Sequence, residues 1–223
     1  MKAIVIATKT AQCLPVLLAS IVPVLLASIE AYVPHDVVTF ISGSPQRCKD
    51  RSSSNTQNDG NTFGESYNAI VKEAFKLHDE IIVVNDDVVL TPSTYAKLTE
   101  DLGFLHGQGH KVGWLGARSD FTHPMQLVQN LDPNLIHRAS RVSPLFAYVS
   151  RQAWVDYPPI NWYSDDIQCA DMVANGYEHF VSRAYVHHVG SQTIGLDNQK
   201  NHLQPREWIQ TNRPDMYKRF YEV

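Results

Sequence analysis

Hydrophobic and polar positions change period repeatedly along the chain, and the changes mark out alternating strands and helices. Residues 2–8 read as a short apolar strand, and the uncharged run that follows reads as a helix ending near Tyr32. Residues 37–41 form the next apolar run, and residues 42–62 are polar, rich in Ser, Asn, Asp and Gly, the pattern of a mobile loop. Over residues 63–77 the spacing becomes helical, with Phe63, Tyr67, Ile70, Val71, Ala74 and Phe75 on one face. Four branched apolar residues, Ile81 to Val84, then run directly into Asn85-Asp86-Asp87. Pro92 suits the first turn of another helix, running to about Leu105, and residues 112–116 predict a further strand. This alternation predicts an α/β fold with a mainly parallel sheet.

The second half is less regular. Residues 145–149 look like a strand, residues 167–175 like a helix closed by Gly176, and residues 184–186 like a strand that leads into His187-His188. Two acidic pairs stand at element boundaries. Asp86-Asp87 follows a run whose unbroken apolar character predicts burial on both faces, and a carboxylate pair there calls for a compensating charge, either a divalent cation or open solvent around a turn. Asp165-Asp166 opens the 167–175 helix. There Ser164 or Asp165 can cap the helix while the other acid does chemistry, because helix neighbours do not face the same way. In open α/β sheets ligands bind at the carboxyl ends of strands, and Thr8-Lys9, Ser42-Gly43-Ser44 and Asn85-Asp86-Asp87 all lie at such ends.

Composition narrows the classes. The 223 residues suffice for one large domain, and 43% hydrophobic with 19% charged residues is ordinary for a globular protein. A net charge of −4 with no basic stripe argues against a nucleic-acid partner. Cys13, Cys48 and Cys169 form neither a zinc pattern nor a disulfide framework, which suits a reducing, cytoplasmic compartment. Residues 13–29 carry no charge and contain a tandem echo, Pro-Val-Leu-Leu-Ala-Ser-Ile at 15–21 and again at 23–29. Two prolines interrupt the run, and it falls short of the ~20 apolar residues of a membrane span, so a buried helix is expected rather than a transmembrane anchor.

Taken in order, these landmarks resemble the large inverting family of nucleotide-sugar glycosyltransferases with the GT-A fold. Asn85-Asp86-Asp87 stands where that family carries its DXD motif, Asp165-Asp166 where it carries an acidic pair at a helix start, and His188 where it carries a histidine after a late strand. Asn68 in the helix before the acidic strand and the ending from Asn212 to Phe220 also match, and the resemblance covers about residues 2–220. It implies a single GT-A (Rossmann-like) domain at 1–195, helices on both faces of the sheet, with a nucleotide-binding half at about 1–118 and an acceptor half at 119–195. Residues 196–223 would be a helical extension packed on that domain. The small size resembles virus-encoded members, which would place the protein in the host cytoplasm. Two positions depart from the family pattern. Asn85 replaces the first DXD aspartate, which moves metal binding onto Asp87. Ser42-Gly43 stands where many members have an acid that reads the base, which leaves the base, UDP or GDP, open.

The resemblance also implies chemistry. A divalent metal, Mn²⁺ in preference to Mg²⁺ given a mixed oxygen and imidazole shell, would be held by Asp87, Asp86 and His188, with Asp86 alternatively on the ribose. His187 would point away from its neighbour. Asp166 is the expected base that takes the acceptor proton, with Asp165 in reserve or orienting the acceptor. Thr8, Ser42 and Asn68 are candidates for nucleotide contact, Arg118 and Arg151 for diphosphate or an acidic acceptor. Trp114, Trp154, Trp162 and Tyr163 are candidates for stacking on sugars, foremost the two beside the acids. The expected partners are a nucleotide-sugar donor and a glycan or glycoprotein acceptor. Rival readings are a nucleotidyltransferase, a noncatalytic carbohydrate-binding protein and a phosphatase of the haloacid-dehalogenase type. The last needs an aspartate nucleophile where this chain has Asn85.

Overall fold

The computed structural model describes residues 3–7, 18–42, 55–56, 62–189 and 198–221. The polar 42–62 stretch, Thr8 and Lys9 fall largely or wholly outside the described residues. The strands are β1 (Ala3–Ala7), β2 (Val38–Ser42), β3 (Asn55–Thr56), β4 (Glu80–Asn85), β5 (Val88–Leu90), β6 (Val112–Ser119), β7 (His137–Ala139), β8 (Phe146–Ser150) and β9 (Glu178–His188). The helices are α1 (Leu18–Tyr32), α2 (Phe63–Phe75), α3 (Thr94–Gly107), α4 (Ser164–Ala174), α5 (Asn198–Asn212) and α6 (Pro214–Tyr221).

All nine strands join one sheet in the order β3-β2-β1-β4-β8-β6-β9-β5, with β7 pairing β9. Six run in one direction, and β8, β5 and β7 oppose them. The sheet is thus mainly parallel. β1 lies between β2 and β4 in parallel register, with Ala7 opposite Asn85, so the polar ends at Ser42 and Asn85 flank one edge.

Strand alternation sorts the core into two layers. Ile4, Ile6, Ile82 and Val84 face one way and pack with Leu25 and Ile29 of α1 and Leu98, Leu102 and Leu105 of α3. Ala3, Val5, Ile81 and Val83 face the other way, onto Tyr67, Ile70, Val71, Ala74 and Phe75 of α2 and Cys169 and Met172 of α4. Ile81 to Val84 are fully buried, as the unbroken apolar run requires. Each such side chain contributes about 1.5–3 kcal/mol, enough to anchor a strand whose end carries carboxylates.

Several boundaries differ from the sequence expectation. Pro92 precedes α3 instead of lying in its first turn, because Ser93 takes the N-cap position. Among the described side chains of α1, residues 23–32, Leu25, Ser28 and Ile29 are buried while Val24 and Tyr32 are exposed, so this part of the helix, with Pro23 inside it, is amphipathic rather than buried all round. No described helix is long and apolar enough to cross a membrane. Gly176, at φ +85°, closes α4 as expected. A third cluster joins Ile160 and Ile167 to Ile209 of α5 and Met216 of α6, so the C-terminal helices pack against α4.

Candidate functional site

The chain leaves β4 at Asn85, turns through Asp86-Asp87 and enters β5, which pairs not with β4 but with β9 at the far side of the sheet. Antiparallel register sets Val88 opposite His188, and the Val189 N–H donates to the Asp87 carbonyl at 3.0 Å. This register brings two side chains 101 positions apart in numbering into contact, with His188 Nε2 3.1 Å from Asp87 Oδ1. His188 Nδ1 sits 2.5 Å from the Phe121 carbonyl. A carbonyl only accepts, so Nδ1 carries a proton and Nε2 of a neutral ring presents a lone pair to the carboxylate. Two acceptors meeting in this way need a proton or a cation between them. Burial would lower the His188 pKa, but bonding to Asp87 outweighs it and the pKa is raised.

The same pair fits a divalent metal. Adjacent ligands of an octahedral ion at about 2.1 Å lie about 3 Å apart, and such ions complete their shells with substrate phosphates and water. Among the described residues no three His, Cys, Asp or Glu side chains converge on one point, so protein donors alone do not make a closed cage. Asp86 and Asp87 are both about 5% exposed. His187 points away from its neighbour, as a strand requires, and pairs with Asp120. Asp120 also accepts the His188 backbone N–H at 3.0 Å, tying the end of β9 to the loop after β6.

A cleft of about 420 Å³ opens beside this pair, lined by Asn85 and His188 together with Asp165, Asp166, Arg141 and Trp162. Tyr67 of α2 donates to the Asn85 side-chain oxygen at 2.7 Å, fixing that amide from behind. Asp166 meets Arg141 at 2.5 Å, and Ser143 donates to Asp165 at 2.9 Å. Burial and then the adjacent Asp166 push the Asp165 carboxyl up to about 6. His123 also lines the cleft. Burial and the Arg141 charge lower its pKa to about 4, so it is neutral near pH 7.

The acidic turn departs from the expected capping. Neither Ser164 nor Asp165 is the N-cap of α4. Tyr163 occupies that position in the left-handed region, at φ 64°, and makes no side-chain cap bond. The helix thus starts one residue early, and both acids line the cleft instead of dividing into one cap and one functional group.

Other expected site residues have structural work. Arg118 is buried and donates to three backbone carbonyls, those of Ser182, Asp132 and Leu135. Arg151 binds the Phe75 and His78 carbonyls near the start of β4, at the opposite end of that strand from Asn85. Neither lines the cleft, so neither fits the expected diphosphate contact. Asn68, an expected nucleotide contact, donates to the Tyr157 carbonyl and accepts the Tyr157 N–H, each at 2.8 Å, so its amide braces a neighbouring segment. Trp114 is fully buried and Trp154 packs edge-on against it, so both belong to the core. Tyr163 stacks on Phe220, and Trp162 lines the cleft. Thr8 lies outside the described residues, as does the Ser42 side chain. Tyr67, Arg141, Ser143, His123 and Asp120 were not anticipated, and of these only Tyr67 carried a signal, its place on the core face of α2.

Solved structures similar to this one include S. aureus TarS residues 1–349, with a TM-score of 0.60 at 13% identity over 84% of this chain and 60% of that one. The same TarS fragment in complex with UDP-GlcNAc matches with a TM-score of 0.58 at 15% identity, again over 84% of this chain and 58% of that one. GalNAc-T7, crystallised with UDP, GalNAc and Mn²⁺, matches with a TM-score of 0.62 at 10% identity over 84% of this chain and 43% of that one. The chain has the GT-A fold. It spans about 60% or less of each of these GT-A proteins. No protein-family sequence model matches it, and no curated protein matches it by sequence. Within the GT-A frame, His188, the partner of Asp87, and the acidic turn of α4 line one cleft.

Proposed function

We propose that the protein is a metal-dependent glycosyltransferase. It moves a sugar from a nucleoside-diphosphate donor to a hydroxyl of a glycan or glycoprotein, with inversion at the anomeric carbon. The observation that carries this reading is one cleft, within a GT-A fold, lined both by His188, which pairs with Asp87, and by Asp165 and Asp166. UDP is the first donor nucleotide to test, because TarS and GalNAc-T7 have been crystallised with it, and Mn²⁺ the first ion, because it accompanies UDP in GalNAc-T7. GDP-linked sugars are the second arm.

In this reading Asp87 and His188 would hold the ion, which would supply Lewis-acid stabilisation of the charge on the leaving nucleotide. Asp86, behind the turn, supports that end or contacts the ribose. Asn85, oriented by Tyr67, offers its amide N–H to the donor. Asp166 takes the acceptor hydroxyl proton as oxygen attacks the anomeric carbon from the face opposite the nucleotide, and a single displacement inverts that centre. Arg141 orients Asp166, and Asp165 with Ser143 shapes the acceptor side.

A thermal-shift panel of nucleoside diphosphates and nucleotide sugars, with and without Mn²⁺, tests the reading. Stabilisation is expected only when nucleotide and metal are both present. Stabilisation by glycans alone would favour a noncatalytic carbohydrate-binding protein. Release of diphosphate instead of a nucleoside diphosphate on turnover would favour a nucleotidyltransferase.

A further inference from the structure

Tyr163 is, among the described residues, the one non-glycine residue with positive φ. A bulky side chain in the left-handed region is an outlier that persists only where its surroundings impose it. Here it begins the turn that carries both acids of the cleft. Tyr163 makes no side-chain cap bond, and its ring is packed by the C-terminal helix α6. The Tyr163 ring stacks on Phe220 of α6, with centroids 4.5 Å apart and planes 20° from parallel. Tyr221 packs edge-on against the same ring at 5.7 Å. Below the rings, Ile160 and Ile167 meet Ile209 and Met216. Further along α4, Arg213 bonds Asp171 at 2.9 Å. α6 therefore grips α4 at its strained start, and Arg213, the residue just before α6, holds α4 again near its end.

We propose that α6 is a latch for the acidic turn, and that Phe220 is a positioning residue acting through Tyr163 on Asp165 and Asp166. The consequence for transfer rests on the function proposed above. The mechanical coupling does not. A glycine adopts the left-handed conformation without steric cost, so Tyr163→Gly removes the need for the latch. The double-mutant cycle of Phe220→Ala and Tyr163→Gly is therefore decisive, read by hydrogen exchange of the amides at 163–167 and by steady-state kinetics.

Phe220→Ala alone is expected to speed exchange in that turn by about tenfold. It is expected to lower kcat by up to about a hundredfold, the loss that follows an ångström-scale misplacement, with the KM for donor unchanged. Phe220→Tyr is expected to restore both. In the Tyr163→Gly background, Phe220→Ala is expected to change neither. Equal effects of Phe220→Ala in the two backgrounds, or no effect on exchange in the wild-type background, would overturn the latch. A wild-type protein that transfers no sugar overturns the function proposed above, and the exchange cycle still decides the latch.

Discussion

The two sides of the cleft are built in different ways. The Asp87–His188 side is strand-made, with two strand ends paired by backbone register, in the sheet that also carries the fully buried β4 run. The acidic side is the first turn of a helix, entered through a left-handed tyrosine and braced by side chains from elsewhere. The brace includes the 157–161 segment. Asn68 holds the Tyr157 backbone, Asn161 accepts the Phe63 N–H, and Gly64 lies so close to Pro158 that an added Cβ would stand 1.9 Å from its carbonyl oxygen. Position on the strand side is a property of the sheet. Position on the helix side is assembled from several weaker contacts, which makes it the side more open to adjustment.

Perturbations aimed at one side should leave the other intact. The largest effect is expected for Asp87→Ala, which should cut transfer by at least ~10³-fold and abolish metal-dependent stabilisation by nucleotide, checked by product formation and thermal shift. Asp166→Asn should cut transfer by about 10²–10⁴-fold while the affinity for nucleotide and metal stays as in the wild type, checked by kinetics and titration calorimetry. Gly64→Ala should destabilise the fold by about 1–3 kcal/mol in urea unfolding by pushing the Pro158 segment away, with the affinity of the folded protein for nucleotide unchanged.

The smallest effect concerns pH. Asp165 is raised from 3.8 to about 6 in the folded protein, first by burial and then by Asp166. The folded state therefore holds the proton more tightly than the unfolded chain. Stability should fall as pH rises from about 4 to about 6 and level off above that. Asp165→Asn should flatten this slope, measured as unfolding free energy across a pH series.

The strand side was the more legible in sequence. Ile81 to Val84 declared a strand buried on both faces, and Asn85-Asp86-Asp87 declared its charged end. The partner of Asp87 was legible as a residue type but not as a contact, because β5 is three residues long and carries no periodic signal of its own. The helix side was legible as acids at a helix start, but its cap was misread. Left-handed backbone is signalled by Gly or Asn, and Tyr163 reaches it through long-range stacking that local propensity does not encode. Arg118 and Arg151 look like anion binders by charge alone, yet their guanidinium groups are taken up by backbone carbonyls, a use that depends on tertiary position.

The central claim is that one strand-built end holds nucleotide with metal while a separate helix-built end does the proton chemistry. Titration calorimetry of UDP into the wild type, Asp87→Ala and Asp166→Asn, each with and without Mn²⁺, tests it most directly. The account predicts Mn²⁺-dependent binding that is lost in Asp87→Ala and unchanged in Asp166→Asn. Binding that ignores Mn²⁺, or that falls equally in both variants, would contradict it.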